Sequence, residues 1–378
     1  MISQLSWLTK QKSEMVACLR ELVELESPSN NKAELDRLGH HLASQFEKLG
    51  GRVKLHPQAD AGDHLQVDFP GPGKPLLLLG HMDTVWDLGT LASMPFRVAQ
   101  GHAFGPGSFD MKGGIAQAIY AVRALQDAHG RVPRAITLLL VTDEEVGSQS
   151  SRPITEELAR RAAVVLVLEP SQGPKGALKT ARKGVGEYNL RVEGREAHSG
   201  LDPDKGASAV LELARQLQAI EKFGDRKRGI TVNPGVVRGG TRSNVVAGEA
   251  TAEIDARVSR LQDIPSLDKK FRSLRPFDKR CKVEVSGGIG RPPLERTAKV
   301  AALFKLAQGL AGELGFSLDE AAVGGGSDGN FTAALGIPTL DGLGAVGDGA
   351  HARHESVVVA EMPRRAALLA RLMESIPV

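Results

Sequence analysis

Cysteine is nearly absent from this chain: Cys18 and Cys281 are its 2 cysteines, far apart in sequence and outside any CxxC pair. That argues against a disulfide framework and a cysteine-built metal knot, and it suits a reducing compartment. Aromatic residues are scarce too, at 4%, and there is neither a Lys/Arg block nor an aromatic-studded basic stripe, so no nucleic-acid partner is expected. The formal net charge of +3 is small for 378 residues. No stretch reaches the roughly 20 apolar residues of a membrane helix, so no membrane partner is expected either. Residues 1–27 lack a sustained apolar core and a small-residue cleavage site. They read as an amphipathic helix of the fold, and the expected location is cytoplasmic.

What the chain does contain is a set of short apolar runs that end on metal-binding side chains. LLLLG runs into His81, AITLLLVTD into Glu144 and Glu145, and AVVLVL into Glu169. Runs of this kind read as strands covered on both faces, and ligand sites in open parallel sheets gather at the carboxyl ends of such strands. The expectation is a crevice of carboxylates and imidazole, hence a metal-dependent hydrolase.

The length exceeds the roughly 250–300 residues at which one hydrophobic core stops growing, so two domains are expected. Helical spacing over 12–25 and 33–49 is followed by strands near 52–56 and 64–69, the LLLLG run, and a glycine-rich loop, GHAFGPGSFDMKGG. A helix at about 115–128, the ITLLLVT strand, a polar helix and the VVLVLE strand complete a βαβαβ alternation. That order predicts an α/β fold, a mostly parallel sheet with helices on both faces. After Lys183 the rhythm becomes β-α-β-β-α-β with half-exposed strands, the split ferredoxin-like order. The first pattern resumes at Pro292. The domains are therefore a discontinuous 1–183 plus 292–378 and an inserted 184–291.

GHMDTV sets His81 and Asp83 two residues apart, so both side chains leave on one face. A metal-bound imidazole usually gives its other N–H to a carboxylate, and Asp83 is placed to accept it. In TDEEVG, Glu144 and Glu145 point apart and can divide roles, one binding metal while its neighbour carries protons. An acid cluster at a helix N-terminus is the competing reading of that motif. Asp110 lies where Gly105, Gly107, Gly113 and Gly114 permit close backbone approach. The loop has no phosphate-binding spacing, and an acid at its centre would repel phosphate. GDGAHARHE supplies His351 and His354, and the glycine-rich GGGSDGN, with Ser327 and Asp328, is a plausible wall for the site.

HMDTV, GPGSFDMKGG, TDEEVGS, LEPS, GREAHSG, GGGSDGN and AHARHE occur in this order. Together they resemble the co-catalytic di-zinc family of aminoacylases, dipeptidases and carboxypeptidases, and most closely its glutamate carboxypeptidase branch, which removes a C-terminal glutamate from folates. The resemblance spans essentially the whole chain. It implies that Asp110 bridges two Zn2+, with His81 and Glu169 completing one metal site and Glu145 and His351 the other. His351 is preferred to His354 because the family's ligand histidine stands four residues before an acid, here Glu355. Glu144 would be the general base, with Asp83 behind His81, and the peptide after Asp110 would be cis. Two divalent metals bring a charge of +4, which three carboxylates and a hydroxide would cancel, as a buried site requires. Co2+ or Mn2+ could substitute, given the mixed donors.

The resemblance further implies that the insert is a lid and dimerisation domain, that the enzyme is a homodimer through it, and that His198 stabilises the developing oxyanion, in cis or from the partner subunit. Asn244, Arg257 and Arg291 would grip a substrate carboxylate, since a guanidinium fork matches one bidentately. The expected reaction is hydrolysis of an amide bond next to a free carboxylate, in a small peptide or an N-acyl amino acid. An exopeptidase releasing a C-terminal amino acid is favoured. An N-acyl-amino-acid deacylase or dipeptidase is the alternative, and a non-catalytic metal-binding relative the remote one.

Overall fold

A computed structural model describes residues 4–377. The chain gathers into two compact units: one comprises the chain up to Ala181, Arg296–Ala322 and everything from Ser327 onward, the other Arg182–Glu295 and Val323–Gly326.

The first unit opens with α1 (Gln4–Lys10), α2 (Lys12–Glu24) and α3 (Lys32–Lys48). Leu19, Leu22 and Val23 of α2 and Leu35, Leu38, Leu42 and Phe46 of α3 are all fully buried, the three- and four-residue spacing that places them on one helical face. Strands β1 (Arg52–His56), β2 (His64–Phe69), β3 (Leu76–His81), β4 (Arg97–Ala99) and β5 (His102–Phe104) follow. Ser108–Lys112 then forms a single π-type turn, within which the Asp110–Met111 peptide bond is cis. Next come α4 (Gly113–His129), β6 (Ile136–Val141), α5 (Arg152–Arg161), β7 (Val164–Val167) and β8 (Leu178–Arg182).

In the second unit lie β9 (Gly184–Glu193), α6 (Ala209–Glu221), β10 (Thr231–Gly239), β11 (Glu249–Val258), α7 (Ile264–Arg272) and β12 (Lys282–Arg291). The chain ends with α8 (Ala298–Glu313), β13 (Glu320–Val323), α9 (Gly329–Ala334), β14 (Thr339–Leu340), β15 (Gly347–Asp348), β16 (Ser356–Val358) and α10 (Met362–Ser375).

The main sheet runs β1-β2-β6-β3-β7-β14. β3 is parallel to both β6 and β7, and β14 is parallel to β7, whereas β2 runs antiparallel to β6 and to β1. Every residue of β3, β6 and β7 is buried because both faces are covered. Leu76, Leu78, Leu138, Leu140 and Leu166 join the core formed with α2, α4 and α10, while Leu77, Leu79, Leu139, Val141, Val165 and Val167 pack with Leu158 and Ala159 of α5. This alternation within a uniformly apolar run is the period of two of a strand. α4 starts at Gly113 and presses on the end of β7: a Cβ on Gly114 would lie 2.2 Å from the Leu168 carbonyl oxygen.

The second unit is an antiparallel sheet, β10-β11-β9-β12, packed against α6 and α7. Tyr188, Leu190 and Val192 of β9 and Ile254, Ala256 and Val258 of β11 line its core, where Phe271 of α7 stacks on Tyr188 at 3.7 Å. Its β-α-β-β-α-β order matches the rhythm of the sequence. β10 is an edge strand, and its Val237 is 54% exposed.

Candidate metal centre

His81 is the last residue of β3, its ring almost wholly buried. Its Nε2 lies 3.2 Å from Asp110 Oδ1 and 3.5 Å from Glu169 Oε1. On the other side of the ring, Nδ1 is 2.9 Å from the main-chain oxygen of Asp83 and 3.5 Å from its Oδ1. The shorter of the two contacts is thus to the carbonyl. The Asp83 carboxylate is occupied elsewhere: it accepts from Ser29 Oγ at 2.8 Å and from the backbone N–H groups of Glu144 and Glu145 at 3.3 and 3.1 Å. As the chain turns out of β3, the carbonyl curves back toward the ring while the side chain crosses to the end of β6. Asp83 therefore holds the Glu144–Glu145 turn as well as standing beside His81.

Asp110 turns its second oxygen the other way. His351 Nε2 is 3.5 Å from Asp110 Oδ2 and 3.2 Å from Glu145 Oε1. Two donor groups result, His81–Asp110–Glu169 and Asp110–Glu145–His351, each with its ligand atoms within 4.8 Å of one another and both sharing Asp110. In a tetrahedron of zinc–donor bonds of 2.0–2.1 Å, neighbouring donors stand about 3.3 Å apart. The His–carboxylate separations of 3.2–3.5 Å match that edge, so the donor set fits divalent cations. His351 sits at φ 61° between β15 and β16. His354 stands apart from both groups, its Nε2 3.8 Å from Asp348.

The electrostatics follow from this convergence in the metal-free protein. Burial disfavours the His81 imidazolium, but bonds to Asp110, Asp83 and Glu169 outweigh it and hold the imidazole well above its usual range. Burial likewise opposes a charged Asp110, yet His351 and His81 hold it below the ordinary carboxylate range. Glu145 is raised by burial. Bonds to Asp110 and Glu145 push His351 up to about 10. Imidazolium protons stand where cations would, so metal uptake would displace them.

Glu144 belongs to neither donor group, although its backbone is tied to Asp83 beside them. Ser327 and Asp328 are turned into the protein rather than forming a wall with their side chains. Ser327 donates to Asp341 at 2.6 Å, and Asp328 accepts from Ser148 in the loop after Glu145. Residues outside the sequence-based site attach to it as well, among them Ser29, through Asp83, and Glu355, whose carboxylate accepts from the backbone N–H of Asp110 at 2.9 Å. The acid ending AHARHE was the available signal for Glu355, though it served only to mark His351.

Within the second unit, the segment bearing His198 pairs with the one bearing Asn244: His198 bridges Val245, and Ser199 N–H donates to the Asn244 carbonyl at 3.0 Å. The exposed His198 ring accepts at Nδ1 from the backbone N–H groups of Gly200 and Leu201, at 3.2 and 3.1 Å, which leaves Nε2 as its N–H donor. Arg257 and Arg291 both pair with Val185 across the sheet, and so share a face. Arg257 bonds to Asp255 at 3.1 and 3.2 Å and to the Gly324 carbonyl at 2.8 Å.

Residues 77–375 match the model of peptidase family M20/M25/M40. Carboxypeptidase G2 from Pseudomonas sp. (strain RS-16) is 30% identical, covering 97% of this chain and 90% of its own. Among solved structures, aminopeptidase PepT from Bacillus cereus superposes with a TM-score of 0.82 at 23% identity, over 96% of this chain and 98% of its own. An M20 family metallo-carboxypeptidase from Sulfolobus solfataricus gives 0.72 at 17% identity, over 96% and 98%. The last two likenesses speak for the fold, whereas the family model and the G2 enzyme speak for descent. The chain belongs to peptidase family M20/M25/M40 and is a hydrolytic enzyme.

Proposed function

We propose that this enzyme is a di-zinc exopeptidase that hydrolyses the amide bond of a C-terminal amino acid, in the manner of a glutamate carboxypeptidase. The observation that carries the reading is the pair of three-donor groups joined through the two oxygens of Asp110. His81, Asp110 and Glu169 would hold one Zn2+, and Asp110, Glu145 and His351 the other. When bound, such a pair supplies Lewis acidity toward water and toward an amide carbonyl. Glu144, adjacent to a ligand and outside both donor groups, takes the proton from the attacking water and delivers it to the leaving amine nitrogen as the C–N bond breaks. Asp83 keeps the Glu144–Glu145 turn and His81 in register.

The unit Arg182–Glu295 serves as the lid and dimerisation domain. An exposed edge strand such as β10 invites pairing with a second copy, which supports a homodimer. His198, with Nε2–H as its donor, suits the developing oxyanion. Asn244, Arg257 and Arg291 are assigned to the substrate carboxylate. The fork of Arg257 is engaged by Asp255. The second reading is an N-acyl-amino-acid deacylase or dipeptidase, whose substrates carry the same free carboxylate. A cytoplasmic location accords with the scarcity of cysteine.

Metal analysis of the purified protein, together with turnover of folyl-glutamate, dipeptides and N-acetyl or N-succinyl amino acids, tests these readings. Glu144→Gln should keep two Zn2+ per chain while turnover falls by about 10²–10⁴. Equal loss of metal would overturn the assignment of Glu144, and a preference for N-acyl amino acids would select the second reading.

A further inference from the structure

We infer that Glu355 is a positioning residue whose carboxylate fixes the backbone that carries Asp110, and thereby the spacing of the whole donor cluster. The inference rests on the two-cation reading above. Glu355 is fully buried, and four N–H groups converge on its two oxygens. Oε1 accepts from Phe109 and Asp110, each at 2.9 Å; Oε2 accepts from Gly107 at 2.9 Å and from the Trp86 indole at 2.8 Å.

These contacts join three segments that each carry a proposed ligand. Trp86 lies five residues beyond His81, and Gly107, Phe109 and Asp110 form the turn around the shared aspartate. Glu355 itself closes the loop that begins at His351, with its own N–H on the Ala352 carbonyl at 2.9 Å. The next residue, Ser356, pairs with Phe104 just ahead of that turn. One side chain thus ties the loop after β3, the turn before α4 and the β15–β16 connection to a common point.

Four donors on two oxygens is a task for a carboxylate. Glutamine has one carbonyl oxygen and one NH2, so in the same place it would accept two of the four bonds and set an N–H against the other two donors. Aspartate keeps the charge but falls one methylene short. The consequence passes to Asp110, whose oxygens stand 3.2 Å from His81 and 3.5 Å from His351. Bonds of zinc to such donors hold within about 0.2 Å of their ideal length, so a backbone freed to drift upsets both sites together.

The test uses the full chain, stripped of metal with a chelator and titrated with Zn2+ in a calorimeter, for the parent, Glu355→Gln and Glu355→Asp. Thermal midpoints and the emission of Trp86 in a Trp7→Phe background are followed in parallel. The parent should take up two Zn2+. Both variants should bind about tenfold or more weakly, at temperatures where they remain folded, with Trp86 emission shifted and kcat reduced more than KM is raised. A purely structural role would lower the midpoint and leave Zn2+ affinity in the folded protein unchanged. A parent with two Zn2+ and variants that hold them as tightly would overturn the role of Glu355 and leave the proposed function standing. A parent that takes up none would overturn that function, and this inference with it. Should Glu355→Gln and Glu355→Asp fail to fold, Trp86→Phe decides: it removes one of the four donors, and unchanged Zn2+ affinity and kcat would overturn the inference.

Discussion

Replacing Asp83 with asparagine keeps the shape of a fully buried side chain and removes its charge and one acceptor. Oδ2 now receives Ser29 at 2.8 Å and Glu145 N–H at 3.1 Å, and Oδ1 receives Glu144 N–H at 3.3 Å while facing His81 Nδ1 at 3.5 Å. With its single carbonyl at the Oδ2 position, asparagine would point NH2 at the Glu144 N–H and at the imidazole. One hydrogen bond to a charged group, about 1.5–3 kcal/mol, is lost and a buried donor is orphaned at about 1–3 kcal/mol. Because the lost bond is long, the expected loss of stability is about 2–4 kcal/mol. The Glu144–Glu145 turn would loosen at the same time, weakening Zn2+ binding about 10–100-fold. Urea unfolding of the metal-free protein, followed by fluorescence, reads the first effect. Both tryptophans, Trp7 and Trp86, belong to the first unit, so the signal reports the right part of the chain. Calorimetry with Zn2+ reads the second effect. An Asp83→Asn protein within about 0.5 kcal/mol of the parent, the range of a neutral surface change, and with unaltered Zn2+ affinity would refute the role given to this carboxylate.

Burial holds the His64 imidazole below its ordinary 6.5 in the folded chain, so the unfolded chain takes up that proton first as pH falls. Its contribution is therefore whole above pH 6.5 and is lost as pH falls through the folded pKa. His64→Gln should flatten the fall in urea midpoint as pH drops below about 6.5, and an identical slope in parent and variant would contradict this. Gly344→Ala would put a Cβ 2.2 Å from the Leu168 carbonyl oxygen and 2.8 Å from that of Glu169, backbone atoms that cannot swing away. It should destabilise by about 1–3 kcal/mol or more, whereas Gly324→Ala, with nothing within 4 Å, serves as the neutral control. If β10 pairs with a second copy, Val237→Lys should shift the protein toward monomer in sedimentation, and an unchanged dimer would remove that edge from the interface.

Much of the architecture could be read from the chain because its strong signals are local. LLLL, ITLLLV and VVLV are too apolar and too short for anything but doubly covered strands, and their ends gathered His81, Glu145 and Glu169. β1 and β2 also fell at the strands expected near 52–56 and 64–69. What stayed hidden depends on partners remote in sequence. The small sheet β15-β16-β5-β4 is made of strands of two or three residues, too short for any periodicity to register. The antiparallel placement of β2 on β6 is a matter of tertiary pairing. Asp83 looked from the sequence like a partner for the neighbouring histidine alone, because its contacts to Ser29, Glu144 and Glu145 cross 54 to 62 residues. Glu355, 245 residues from the Asp110 N–H it accepts, was visible only as a letter in a motif.

The clustered side chains run from position 81 to position 351, and the main stretch of the second unit, Arg182–Glu295, is interposed between the fourth and the fifth of them. During synthesis from the N-terminus that stretch is complete before His351 and Glu355 have been added. At that stage the nascent chain carries a single imidazole of the cluster and lacks the Glu355 carboxylate that accepts from the Asp110 N–H. The group Asp110–Glu145–His351 is thus completed only after the interposed stretch has been made, and a chain truncated upstream of His351 would keep His81–Asp110–Glu169 alone.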